Sequence, residues 1–276
     1  MPRVMTEDET LDACSRFSIA RFGDGELRLA VGGSCSSQKA DPKLQRELVE
    51  ILAKYRGLLV GIPNFSKTPR RDVWDKYNGV MFAKLYRQES YASAFITRPD
   101  NAPWIHRPDY WRRVRGLWAN RDVVLVTGDQ KSITAEMLKN AGTDVPSAAS
   151  CITVDGPRQH AYTLVDEIEA EIVARAVGGR LVIMCLGATA TVLGARLHAR
   201  GIQALDLGHV GMFIRHAGAY VDPATLISKD YRRQNVALHA RPEGFGGDGK
   251  KHAERILAYA RKLGARSICD YGCGEG

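Results

Sequence analysis

The chain has 276 residues, 45% of them apolar and 25% charged, which suits a sizeable buried core, in one large α/β domain or one domain plus a fragment of another, and excludes a disordered polymer. No stretch nears the ~18 continuous apolar residues of a membrane span, and the acidic start MPRVMTEDETLDAC lacks the basic and apolar regions of a signal peptide. The formal net charge of +8 points to an anionic ligand or partner, or simply to a solvated basic surface.

The six cysteines, Cys14, Cys35, Cys151, Cys185, Cys269 and Cys273, are scattered and give neither a disulfide framework nor a four-ligand zinc pattern. A reduced cytoplasmic protein is expected, in host cytoplasm if a phage encodes it. No feature sets an oligomeric state.

Short apolar runs alternate with amphipathic segments, the pattern of a mostly parallel sheet flanked by helices. The first strand is expected over Phe17–Ala20, followed by the turn-rich Arg21-Phe22-Gly23-Asp24-Gly25-Glu26 and a short helix. Asp41-Pro42 opens a helix with a capping acid and a proline in its first turn, and Leu44, Leu48, Leu52 and Tyr55 line one face. Leu58–Pro63 reads as a strand, Val73–Gln88 as a helix, Ala94–Thr97 as a strand and Trp104–Trp118 as an aromatic, basic helix.

Asp122–Thr127 is the clearest buried strand; it ends in Gly128-Asp129 before a helix capped by Ser132. Ala149–Val154 is a further strand, Gln159–Val177 a long helix, Leu181–Leu186 a strand leading into Gly187-Ala188-Thr189-Ala190-Thr191 and a helix, and Ile202–Leu207 a strand ending in Gly208-His209. Arg241–Lys251, with four glycines, reads as a linker within 241–250, after a domain over 1–240. A last helix and the strand Ser267–Asp270 follow within 251–276.

Asp24 and Glu26 flank one glycine at the C-terminal end of a strand, where open α/β sheets bind ligands. Two hard carboxylates there can hold a divalent metal, or can form a plain acidic turn. The Gly187 segment, between strand and helix, offers backbone N–H groups and the Thr189 and Thr191 hydroxyls to a diphosphate or a ribose. Arg21 and Arg98 could neutralise phosphate, with a salt bridge from Arg21 to Asp24 or Glu26 as the alternative. Asp206 or His209 could deprotonate an acceptor hydroxyl, with Asp155 competing for that role. In the segment 104–118, Trp111 and Trp118 stand seven apart as in a packed stripe, although rings among arginines could also stack on bases.

The stretch Phe17–Glu26, with Leu58–Pro63, Ile96-Thr97-Arg98-Pro99, Leu186–Leu193 and Gly201–His209, resembles the glycosyltransferases of GT-D fold, formerly a domain of unknown function. The resemblance runs in order from roughly residue 15 to residue 215. It implies a Rossmann-like, mostly parallel sheet, a nucleotide-sugar donor such as a UDP-sugar, and an Asp-any-Glu motif for Mn2+ or Mg2+ and the donor diphosphate. Carried onto this chain, the motif falls on Asp24 and Glu26. Ala188 replaces a proline common in that family, and Val210-Gly211-Met212-Phe213 replaces its acidic continuation after His209, which bears on the acceptor.

The end, Ser267–Gly276, resembles the first strand and glycine loop of class I S-adenosylmethionine-dependent methyltransferases. One helix and one strand cannot build that fold, so a truncated piece of a fusion or a vestigial extension is expected. The resulting expectation is a metal-dependent hexosyltransferase acting on an acceptor hydroxyl, either of a glycan or of a modified DNA base. The alternative is a non-catalytic nucleotide or nucleic-acid binding module of a methyltransferase fusion.

Overall fold

The computed structural model describes residues 2–212 and 214, apart from 66, 71–73, 75–76, 78–83, 129–132 and 140–145. The chain begins with a short strand, β1 (Arg3–Val4), and helix α1 (Glu7–Cys14). Thr6 starts α1 through a reciprocal cap: its hydroxyl accepts from Glu9 N–H at 3.1 Å, and Glu9 accepts from Thr6 N–H at 2.8 Å. β2 (Ile19–Arg21), α2 (Asp24–Ala30), α3 (Pro42–Ala53), β3 (Leu59–Ile62) and β4 (Ser90–Ser93) follow. Asp41 caps α3 as expected, accepting from Lys43 and Leu44 N–H at 2.8 and 2.9 Å.

A 3-10 turn at Pro103–Ile105 leads to α4 (Pro108–Gly116) and β5 (Asp122–Thr127). Then come α5 (Ala135–Lys139), β6 (Ser150–Asp155), a 3-10 turn at Ala161–Leu164, α6 (Val165–Arg175), β7 (Leu181–Cys185), α7 (Ala188–Ala199) and β8 (Ala204–Asp206). The described strands form one sheet in the order β1-β4-β3-β2-β8-β7-β5-β6. Every pairing in it is parallel. β7 is buried along its whole length, as the apolar run Leu-Val-Ile-Met-Cys requires of a strand covered on both faces. The chain leaves β5 toward the outer strand β6, whereas it leaves β7 toward β8, and such a divergence opens a crevice at the C-terminal ends of the strands.

Three helices are tied together by Arg196 on α7. Its guanidinium donates to Glu47 on α3 at 2.7 and 2.9 Å, and to Asp166 and Glu169 on α6 at 2.7 and 2.9 Å. Tyr162 adds a 2.6 Å hydrogen bond to Glu47, so the turn before α6 joins the same network. Its members satisfy one another, which is what partly buried charges need to be stable.

Several expected boundaries move. The strand expected over Phe17–Ala20 is Ile19–Arg21, and the one expected over Ala94–Thr97 is Ser90–Ser93, with 94–97 forming a turn. Asp24 and Glu26 lie in the first turn of α2 rather than on a loop. The long helix expected from Gln159 starts only at Val165, because His160 takes a left-handed φ of 56° and a 3-10 turn intervenes. The aromatic segment divides into a 3-10 turn and α4 in place of one helix over Trp104–Trp118.

In that segment Trp111 and Trp118 are buried, as the stripe reading holds, while Arg107 pairs with Asp8 at 2.7 Å and Arg113 with Asp12 at 2.6 Å. Tyr110, Trp111 and Trp118 therefore pack inward, while Trp104 is exposed and donates to Glu7 at 2.7 Å. Most of the helix expected over Val73–Gln88 lies outside the described residues, as do Ser132, the linker, the 240 and 250 boundaries and the methyltransferase-like segment. Among the described residues, Cys14, Cys35, Cys151 and Cys185 are free. No described helix is long and apolar enough to cross a membrane.

Candidate functional site

The C-terminal ends of the parallel strands converge on a cleft of about 620 Å³. Its walls come from Arg21 to Glu26 after β2, Ala94 to Arg98 after β4, Gly128 after β5, Arg158 to Ala161 after β6, Cys185 to Thr189 at β7, and Asp206 to His209 at β8. These segments lie at or just after strand ends, where backbone groups are no longer committed to the sheet, and Arg28, Cys35 to Gln38 and Trp74 complete the lining.

Gly23 starts α2, and Glu26 reaches back so that its Oε2 accepts the Gly23 N–H at 2.8 Å. Glu26 Oε1 and the exposed Asp24 make no hydrogen bond among the described residues. Desolvation, then the neighbouring Asp206 and Asp24, raises the Glu26 carboxyl to about 7. No described group of three or more His, Cys, Asp or Glu side chains could form an all-protein metal cage.

Beneath this pair lies a buried polar core. Arg21 donates to Ala94 O at 2.9 Å and to Thr97 Oγ1 at 2.8 Å, and its Nη2 stands 3.7 Å from Asp206 Oδ1. The pairing expected with Asp24 or Glu26 is replaced by this one, because side chains at the ends of adjacent strands β2 and β8 meet. Asp206 also accepts from Arg21 N–H and from Gly208 N–H, each at 3.2 Å. Desolvation pushes its carboxyl up, and Arg21 and these donors partly offset that. Gly208 has a left-handed φ of 53°, and a Cβ there would lie 2.2 Å from Arg21 Nη2, so any side chain would displace the guanidinium from Asp206.

Arg98 lines the cleft but is held by Asp100 through two bonds of 2.9 and 2.7 Å. Desolvation works against its cation, and Asp100 outweighs it, raising the Arg98 value. Desolvation, then the Arg98 and Arg21 cations, lowers the His209 imidazole and favours its neutral form, the one able to accept a proton.

Gly187 and Thr189 line the cleft at the start of α7. Two other candidates take different places. Thr191 is fully buried and donates to Arg21 O at 2.8 Å, so it supports the polar core without facing the cleft. Asp155 is exposed at the end of the edge strand β6 and is absent from the cleft wall, because β5 and β7 separate it from β8.

Sequence reading missed the 33–40 loop, Arg158 and Gln159. Ser37 O accepts from His160 N–H at 2.8 Å, and His160 Nδ1 accepts from Lys39 N–H at 3.2 Å, which pins this loop over the cleft. The Ser-Ser-Gln composition carries no periodic signal, and its contact lies more than 120 residues away.

A parallel α/β sheet with a polar cleft at the C-terminal ends of its strands defines a ligand-binding domain of Rossmann-like type. Residues 19–214 match the family described as "Glycosyltransferase GT-D fold", and the chain belongs to that family. It is 32% identical over 219 residues to "Glycosyltransferase GlyD" of Streptococcus pneumoniae serotype 4 (strain ATCC BAA-334 / TIGR4), covering 74% of this chain and 26% of that protein. To "Probable glycosyl transferase Gly" of Streptococcus gordonii it is 28% identical, covering 75% of this chain and 32% of that protein. The chain therefore spans only a quarter to a third of the length of these two relatives.

Among solved structures, "A New Glycosyltransferase (DUF1792) from Streptococcus sanguinis" superposes with a TM-score of 0.65 at 27% identity, over 76% of this chain and 82% of that one. "The highly conserved domain of unknown function 1792 has a distinct glycosyltransferase fold" does so with 0.66 at 26% identity, over 84% and 94%. The expected fold, a Rossmann-like, mostly parallel sheet flanked by helices, is the one observed.

Proposed function

We propose that this chain transfers a sugar from a nucleotide-sugar, such as a UDP-hexose, to an acceptor hydroxyl within this cleft. The observation that carries the reading is that Asp24, Glu26, Arg98, Gly187, Thr189, Asp206 and His209, from four separate segments, line one cavity. Family membership and the names of the relatives support the reaction class.

The donor set fits a hard divalent ion such as Mn2+ or Mg2+. Asp24 and Glu26 Oε1 are uncommitted oxygens, and an ion bound by one or two carboxylates completes its shell with phosphate oxygens and water. Such an ion would neutralise the departing diphosphate. Arg98, steadied by Asp100, places positive charge at the same wall, and Arg21 keeps Asp206 ionisable below it. His209 is the better placed general base, since its neutral form is favoured and the residue is exposed, whereas Asp206 is buried against the Arg21 guanidinium and the Arg21 and Gly208 N–H groups.

A glycan hydroxyl is the favoured acceptor. A DNA acceptor has the net charge of +8 and the aromatic, basic segment in its favour, and in that segment Trp111 and Trp118 pack into the core.

The test is turnover of a panel of nucleotide-sugars with Mn2+, Mg2+ or EDTA, beside Asp24→Asn and Glu26→Gln. Loss of metal-dependent donor hydrolysis by about 100-fold or more in each variant is expected. Unchanged turnover in both would remove the assignment.

A further inference from the structure

One wall of the cleft does not come from a strand end. Residues 33–40 join α2 to α3, and Cys35, Ser36, Ser37 and Gln38 line the cleft. The segment crosses the sheet step by step. Cys35 lies on the β2 side, where a Cβ on Gly25 would stand 3.5 Å from its Sγ. Ser37 lies over the end of β7, where a Cβ on Gly187 would stand 3.6 Å from its Oγ. Lys39 reaches His160, which follows β6, so the segment passes above β8, β7 and β5. It is ordered within itself: Cys35 N–H donates to Gln38 O and Ala40 N–H to Ser34 Oγ, each at 2.9 Å.

His160 holds the far end of this strap. Its N–H donates to Ser37 O at 2.8 Å, and its Nδ1 accepts from Lys39 N–H at 3.2 Å. Both groups reach the strap because the backbone is left-handed, with φ 56° and ψ 32°. Among the described residues only Asn120 shares a positive φ without being glycine. Such a conformation costs free energy and persists where its surroundings hold it. The His160 carbonyl is taken by Thr163, whose N–H and hydroxyl donate to it at 3.0 and 2.8 Å. The other printed bond between the strap and this side is long, from Tyr162 N–H to Gln38 Oε1 at 3.4 Å.

We propose that His160 is a positioning residue: it latches residues 33–40 across the cleft, and the latched strap retains the nucleotide-sugar. The proposal rests on the donor reading above for the identity of the ligand. The latch itself is read from the strap alone. Nδ1 accepts only while it carries no proton, so the bond to Lys39 needs an acceptor at that position and not a ring as such. Asparagine meets both demands, since it tolerates the left-handed region and its Oδ1 can accept.

The experiment uses Cys35, half-buried on the strap, as a reporter in the full chain. Iodoacetamide is added, and the alkylation rate of each cysteine is followed peptide by peptide in the mass spectrometer. His160→Ala should raise the Cys35 rate by about fivefold or more, the scale of a lost hydrogen bond, while Cys151 on β6 stays within about twofold. His160→Asn should keep Cys35 within about twofold of wild type. The donor KM should rise by about fivefold or more in His160→Ala, with kcat within about threefold, and His160→Asn should restore it. Thermal melts establish folding. If His160→Ala fails to fold, His160→Gly, which accepts the φ without strain and removes the acceptor, decides.

An unchanged Cys35 rate in the folded His160→Ala or His160→Gly protein, or a His160→Asn protein as reactive as His160→Ala, overturns the latch. A freed Cys35 with an unchanged donor KM overturns the positioning role. If Cys35 is freed as expected in a chain that turns over no nucleotide-sugar, the latch stands and the donor reading falls instead.

Discussion

Glu26 carries a cost that can be measured apart from catalysis. Its carboxyl is raised from 4.5 to about 7 by desolvation and by Asp206. A group raised in this way binds protons more tightly in the folded than in the unfolded chain. Stability is therefore unpenalised below about 4.5, where both states are protonated, and is lost as pH climbs through 7. Integrating a shift of about 2.5 units at ~1.4 kcal/mol each gives roughly 3 kcal/mol lost by pH 8. Glu26→Gln keeps the cap, because the amide oxygen can still accept the Gly23 N–H, and removes the charge. The stability of Glu26→Gln relative to wild type should rise by about 3 kcal/mol between pH 4 and pH 8. Urea unfolding of both proteins in EDTA across that range measures it, and taking the difference cancels every other titrating group to first order. A difference that stays flat with pH would refute the buried charge. Metal binding requires the ionised carboxylate, so metal-dependent turnover should climb through the same window.

Gly208→Ala places a methyl group against Arg21 Nη2 and strains a φ of 53°, so it should destabilise the chain by about 3 kcal/mol in chemical denaturation. Asp155→Asn, away from the cleft, should leave donor turnover within about twofold of wild type; a tenfold drop would place the β6 end in the site after all. Arg196→Met leaves Glu47 with Tyr162 alone and Glu169 with Arg200 alone, and should cost about 2 kcal/mol in the same unfolding assay, with the melt falling accordingly.

Much of this chain could be read from local rules. Asp41-Pro42 sets α3 because the capping acid and the proline act on the first turn alone. The run Asp122–Thr127 needs no context to be a buried strand, because its apolar residues are continuous and its ends are marked by Asp122 and Gly128. α1 obeys the same local rule, since Thr6 and Glu9 form a capping box at its start. Gly187 and Thr189 were legible as a strand-to-helix turn, and Asp24 and Glu26 as an acidic pair, although the pair proved to start a helix.

Composition and periodicity thus determined the class, the main elements and the acidic motif, because caps, prolines and alternation act over a few residues. The strand order was decided only by the tertiary structure, since a period of two fixes a strand's faces and not its neighbours. That order joins Arg21 to Asp206 across 185 residues, sends Thr191 to the polar core, and leaves Asp155 at an outer edge. It also brings Ser37 to Gly187, a meeting that no local pattern specifies, because each owes its place to chain ends held apart in sequence and adjacent in the sheet.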